Sequence, residues 1–72
     1  MSTLRPLKVS EIEMFSSRPN VKSVAVENFL GSLGDMSYQE AVGNCEVDAR
    51  DYRWNHETSA AIREGILLAF RR

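Results

Sequence analysis

Two side chains in this 72-residue sequence could pair as nucleophile and base, because Cys45 and His56 are its only cysteine and its only histidine. Such a pair needs thiolate and imidazole within hydrogen-bond reach, and a third group that orients the imidazole. Helical spacing puts Cys45 on an apolar stripe, where burial raises a thiol's pKa and makes it inert. It puts His56 in the first turn of a helix, where the positive end of the dipole disfavours imidazolium. The expectation is a core thiol and a surface imidazole. The carboxylates are no better placed for chemistry. Asp48 and Asp51 stand one turn apart, Glu46 and Glu40 point to other faces, and no zinc or EF-hand spacing results. Glu40 and Asp51 share a face but are about 16 Å apart along a helix, and Glu11 and Glu13 diverge around theirs. Gly31-Ser32-Leu33-Gly34 ends a helix and does not lead from a strand into one, so it is not a phosphate loop. The sequence therefore predicts no catalytic residue, no cofactor and no metal site, and a protein that is not an enzyme.

Charge narrows the partners. Nine basic and ten acidic residues give a net charge of -1, whereas nucleic-acid-binding domains are usually basic. A lone cysteine forms no internal disulfide, which predicts a cytoplasmic setting. The start, Met1-Ser2-Thr3-Leu4-Arg5-Pro6, has no apolar h-region, so no secretory signal is expected. The longest apolar run, Ile66 to Phe70, is five residues, far short of a membrane span.

The elements that must carry these residues are helices, and their starts can be read from caps. Ser10 with Glu13 fits a capping box, flanked by a Val9–Met14 hydrophobic staple. Ser37 with Glu40 repeats the box, and Asn20 and Asn55 are plausible N-caps for two more helices. No segment shows strand alternation. The prediction is a single small all-α domain of four helices, near 11–17, 21–33, 38–53 and 56–70. It is preceded by an arm over 1–8 that Leu4 and Leu7 could pin, so the helical domain spans 9–72.

Helical wheels then sort the faces. The third helix collects Tyr38, Ala41, Val42, Cys45, Ala49 and Tyr52 within about 100°, the second has a wider arc, and the fourth is apolar over about 200°. The widest arc belongs in the middle, so the C-terminal helix is expected to be the core around which the others pack. Phe29, Leu30, Val42, Cys45, Ile62, Ile66 and Trp54 are the expected structural residues. Val47 and Leu67 point the wrong way. Val47 is bracketed by Glu40, Asn44 and Asp51, and Leu67 by Ala60, Arg63, Glu64 and Arg71. Scattered exposed aliphatics are normal, but these two have rims of opposite sign, which suits self-association or a protein partner. The expected contact residues are Val47, Asp51, Arg63, Leu67 and Arg71.

A helix-turn-helix is the competing reading. The 31–37 linker is long for that turn. The recognition helix would also carry Glu40, Glu46, Asp48 and Asp51 against Arg50 and Arg53, although Glu46 is spaced to pair with Arg50. Arg63, Arg71 and Arg72, with Arg5 and Lys8, make the alternative basic surface for nucleic acid. Gly34-Asp35-Met36-Ser37-Tyr38 before one helix, and Trp54-Asn55 with Ala60, Ala61 and Ile62 opening the next, resemble ubiquitin-associated-like three-helix domains over about residues 26–70. The resemblance implies a small helical adaptor. The second helix of that unit is about a turn longer here, so the ubiquitin-binding loop is not carried over. The sequence reads as a small non-catalytic interaction or self-associating module.

Overall fold

Four helices account for most of residues 7–71, the part of the chain that the computed structural model describes: α1 (Val9–Ser16), α2 (Ser23–Gly31), α3 (Tyr38–Asp51) and α4 (His56–Arg71). No strand occurs among the described residues. The domain is all-α, as the sequence predicts, and Leu4 of the predicted arm lies outside the described residues.

The start of α1 differs from the expected Ser10–Glu13 box. Lys8 is the N-cap, and its backbone N–H donates to Glu11 Oε1 at 2.8 Å. That half of a box needs no hydroxyl at the cap, so the helix begins two residues early. The staple positions move with it. Leu7 and Ile12 are half-buried against the core, while Val9 and Met14 are exposed. The face that carries Ile12, Phe15 and Ser16 inward leaves Met14 on the opposite side.

The second helix is shorter than the expected 21–33, and its reason is tertiary. Asn20 does not cap it: its backbone is left-handed (φ 66°), and its carbonyl accepts from Asn55 Nδ2. The Lys22 N–H donates to Thr58 Oγ1 at 2.9 Å. Residues 20–22 are thus committed to the start of α4, and helix begins only at Ser23. At the other end Ser32 Oγ donates to the Asn28 carbonyl at 2.6 Å. Leu33 then turns into the core from beyond the helix, and Gly34 follows with φ 34°.

The third helix starts as its sequence predicts, with Ser37 Oγ accepting from the Glu40 N–H at 3.1 Å. It stops at Asp51, short of residue 53, because Arg53 adopts φ 53°. The Trp54 N–H then reaches the Ala49 carbonyl at 3.0 Å, a Schellman closure with arginine where glycine is usual. This closure carries Trp54 onto Phe29, edge to face at 6.0 Å. The last helix is capped by Asn55, whose Oδ1 accepts from the Thr58 N–H at 3.3 Å.

Packing centres on α4, which buries Thr58, Ala61, Ile62, Gly65, Ile66 and Ala69 in one stripe. Phe29, Leu30 and Cys45 join them in the core as expected, with Val42 and Trp54 half-buried against it. Phe15, which the wheel analysis did not single out, is also in the core. Helices α1, α2 and α3 all lie on α4, and α1 also lies on α2, whereas among the described residues α3 has α4 as its only helical neighbour. One glycine sits at a close interhelical contact. A Cβ on Gly65 would stand 2.6 Å from Leu30 Cδ1 and 3.2 Å from Leu30 Cγ.

Leu30 is buried and has little room to retreat, so Gly65→Ala should be destabilising. Overpacking costs about 1–3 kcal/mol, against a helix-propensity gain of about 1 kcal/mol. Urea unfolding should show a net loss for Gly65→Ala in the wild-type background, and none when Leu30→Ala is already present. Equal effects in both backgrounds would separate Gly65 from the seating of Leu30.

Candidate interaction surface

The five residues expected to make contact are all exposed, on the outward sides of α3 (Val47, Asp51) and α4 (Arg63, Leu67, Arg71). Val47 is 51% and Leu67 38% exposed. No hydrogen bond or ion pair joins any two of the five. They are not the exceptions that the wheels suggest, since Val9, Met14, Val24, Tyr38 and Tyr52 are exposed as well. Tyr38 and Tyr52 end the apolar stripe of α3, and a helix with one neighbour cannot cover the whole stripe.

Ion pairing alters the charge around Leu67. Arg18, in the turn after α1, donates to Glu64 Oε1 at 2.7 Å, and its guanidinium lies 5.0 Å over the Phe15 ring. The hydrogen bond from Arg18 holds the Glu64 carboxyl below the usual carboxylate range. The one acid in the rim of Leu67 is thereby neutralised toward α1, leaving Arg63 and Arg71 on either side. The anticipated Glu46–Arg50 pair does not form. Arg18–Glu64 is the only ion pair among the described residues.

Cys45 and His56 are not brought together as a reactive pair. Cys45 is 2% exposed in the core, and His56 opens α4 at the surface. Burial pushes the thiol's pKa up, Asp48 and Glu46 push the same way, and Arg63 opposes them. The thiol is therefore protonated at neutral pH. No three His, Cys, Asp or Glu side chains among the described residues form a metal-holding group. Of the arginines in the nucleic-acid alternative, Arg63 and Arg71 are exposed, and Arg5 and Arg72 lie outside the described residues.

Sequence reasoning missed one concavity. Because α2 and α3 both rest on α4 without meeting, an open groove of about 700 Å³ lies between them. Phe29 and Trp54 belong to its lining, with Val24, Ala25, Asn28 and Met36 around them. Tyr52 stacks on Trp54 with ring centroids 6.3 Å apart and planes 20° from parallel. Asn44 Nδ2 donates to Met36 Sδ at 3.5 Å, which ties α3 to the α2–α3 loop. Val24 is 68% and Tyr52 65% exposed at the groove. Asp48 and Lys22 are its charged lining residues. Wheels treat each helix alone and cannot reveal a gap between two of them. The signal in the sequence was Val24, an aliphatic residue outside the apolar arc of its helix.

No protein family, curated protein or solved structure matches the chain. No helix among the described residues is long and apolar enough to cross a membrane.

The Arg18–Glu64 pair is exposed, so Glu64→Gln should cost only about 0.2–1 kcal/mol at neutral pH. Pairing lowers the folded pKa of Glu64. Its contribution is therefore complete above the ordinary glutamate value of about 4.3 and is lost as pH falls through the lower folded value. Urea curves of wild type and variant should differ slightly at pH 7 and coincide in strong acid. A gap that persists in acid would mean that Glu64 acts through packing and not through its charge.

Proposed function

We propose that this chain is a small, non-catalytic protein-interaction module that receives a helix of its partner in the groove between α2 and α3. The observation that carries the reading is the groove itself, where Val24 and Tyr52 are left exposed beside Phe29 and Trp54. A cleft between two helices suits a third helix, whose apolar anchors recur at i, i+3, i+4 and i+7. The lone thiol, without a disulfide partner, suits a cytoplasmic setting for the module.

Charge supplies the chemistry of the partner. Residues 22–54, the segment that contains the whole groove lining, hold three basic and six acidic residues, a net of -3. Asp48 lines the groove, and Glu40 and Asp51 lie on the exposed side of the same helix. An amphipathic helix with leucines on one face and lysines or arginines beside them fits that field.

Trp54 is the only tryptophan and lines the groove, so its emission reports occupancy. A synthetic amphipathic helix of about 15 residues, leucine-faced, lysine-flanked and free of tryptophan, should shift that emission saturably. The same helix with glutamates in place of lysines should not, and Val24→Glu should abolish the response of a variant that still shows a native circular dichroism spectrum. A flat titration with the basic helix would overturn the reading.

A further inference from the structure

We infer that the helix received by the groove is α4 of a second copy of this chain, docking through Arg63, Leu67 and Arg71. The inference rests on the groove being a helix-docking surface, and it names the occupant from charge, spacing and position.

The charge of the chain is segregated. Against the net of -3 over residues 22–54, the remaining residues hold six basic and four acidic side chains, a net of +2. The outward face of α4 belongs to the positive part. Its exposed residues Arg63, Leu67 and Arg71 follow one another at i, i+4 and i+8, with Arg63 at the α3 border beside the Cys45 thiol, and the nearby acid, Glu64, is already paired with Arg18. This is a basic helix with an aliphatic centre, the chemistry that the groove calls for.

The spacing also matches. Glu40, Asn44 and Asp48 follow one another at i, i+4 and i+8 on α3 and are all accessible to some degree. Eight residues of helix span about 12 Å, so Glu40 and Asp48 along α3 and Arg63 and Arg71 along α4 repeat at the same backbone interval. Laid along α3, a second copy's α4 can put an arginine against each acid while Leu67 falls at the level of Asn44 and Met36 in the groove lining.

The position of the two faces sets the symmetry. Tyr38 packs edge to face on Phe70 at 5.6 Å, which places α3 on the Phe70 side of α4, and Leu30 sits over Gly65, which places α2 on another side. The groove opens between these two flanks, and Leu67 faces outward beyond α3. Groove and Leu67 face are different surfaces of one copy, so docking runs head to tail and leaves one of each free for further copies.

Sedimentation of wild type over a hundredfold range of concentration tests this. At low ionic strength the average mass should rise with concentration, and added salt should reduce it. Leu67→Glu should stay monomeric. The decisive arm uses two charge-reversed chains: Glu40→Lys with Asp48→Lys, and Arg63→Glu with Arg71→Glu. Each alone should be monomeric, and their mixture should regain the higher mass. A wild type that is monomeric throughout overturns the inference, as does association that survives Leu67→Glu. A mixture that stays monomeric, while both chains keep native circular dichroism, overturns it too. The two readings fail separately. A monomeric wild type that still binds the basic synthetic helix loses only the second copy, whereas one that binds neither loses the groove as well.

Discussion

The hydroxyl of Thr58 fixes where α2 can lie. It is fully enclosed, and a buried hydroxyl without partners costs about 1–3 kcal/mol, yet here it is used in both directions. It accepts from the Lys22 N–H and donates to Asn55 Oδ1. Asn55 is itself held by its amide to the Asn20 carbonyl, so the turn before α2 and the cap of α4 form one hydrogen-bonded unit. No buried side-chain nitrogen or oxygen is left without a partner among the described residues. Eight residues beyond Lys22, Leu30 meets the bare backbone of Gly65, seven residues beyond Thr58. Contacts at matching intervals hold α2 alongside α4, running in the same direction. A polar lock at one end and a close approach at the other leave α2 no freedom to lean toward α3.

The groove follows from that constraint. The third helix returns antiparallel along another flank of α4, joined to it by the left-handed turn at Arg53 and by the Tyr38–Phe70 ring pair. With α2 locked and α1 on its far side, α3 has no second helix to pack against. Its stripe is small at the centre, with Ala41, Cys45 and Ala49, and this lets it approach α4 closely. The same smallness gives it little apolar surface with which to reach across to α2. What closes the end of the gap is aromatic: Trp54 bridges Phe29 and Tyr52 by ring contacts.

Much of this architecture was legible in the sequence, and the parts that were not share a cause. Ser37 and Asn55 act as the caps that their side chains suggest, since N-capping is decided within three residues. The breadth of the apolar arc identified α4 as central, because burial on several sides must be written into one helix. The start of α1 was misread because Lys8 caps through its backbone, and no residue type announces that. Asn20 was misread because its left-handed conformation is set by Asn55, 35 residues away. The candidate surface shows the same limit more strongly. The exposure of Val47 and Leu67 was readable from helical angle, whereas the groove depends on the relation between two helices and on Thr58.

The exposed apolar residues then have a common physical origin. A chain of this length buries a modest fraction of its surface, and α4 already serves three helices. The residues that α3 itself presents to the groove, Asn44 and Asp48, are polar, so α3 brings little apolar surface to α2. On α2 the bulky Leu30 is turned onto Gly65 of α4 and not into the groove. The gap between α2 and α3 therefore stays open in the single chain, with Val24 and Tyr52 exposed beside it. The acids of α3 point the same way. No ion pair within the chain engages Glu40, Asp48 or Asp51 among the described residues, so their field is directed at whatever approaches. Pairing Glu64 with Arg18 has the complementary effect on α4, since it removes the one acid that would oppose such an approach by Arg63 and Arg71.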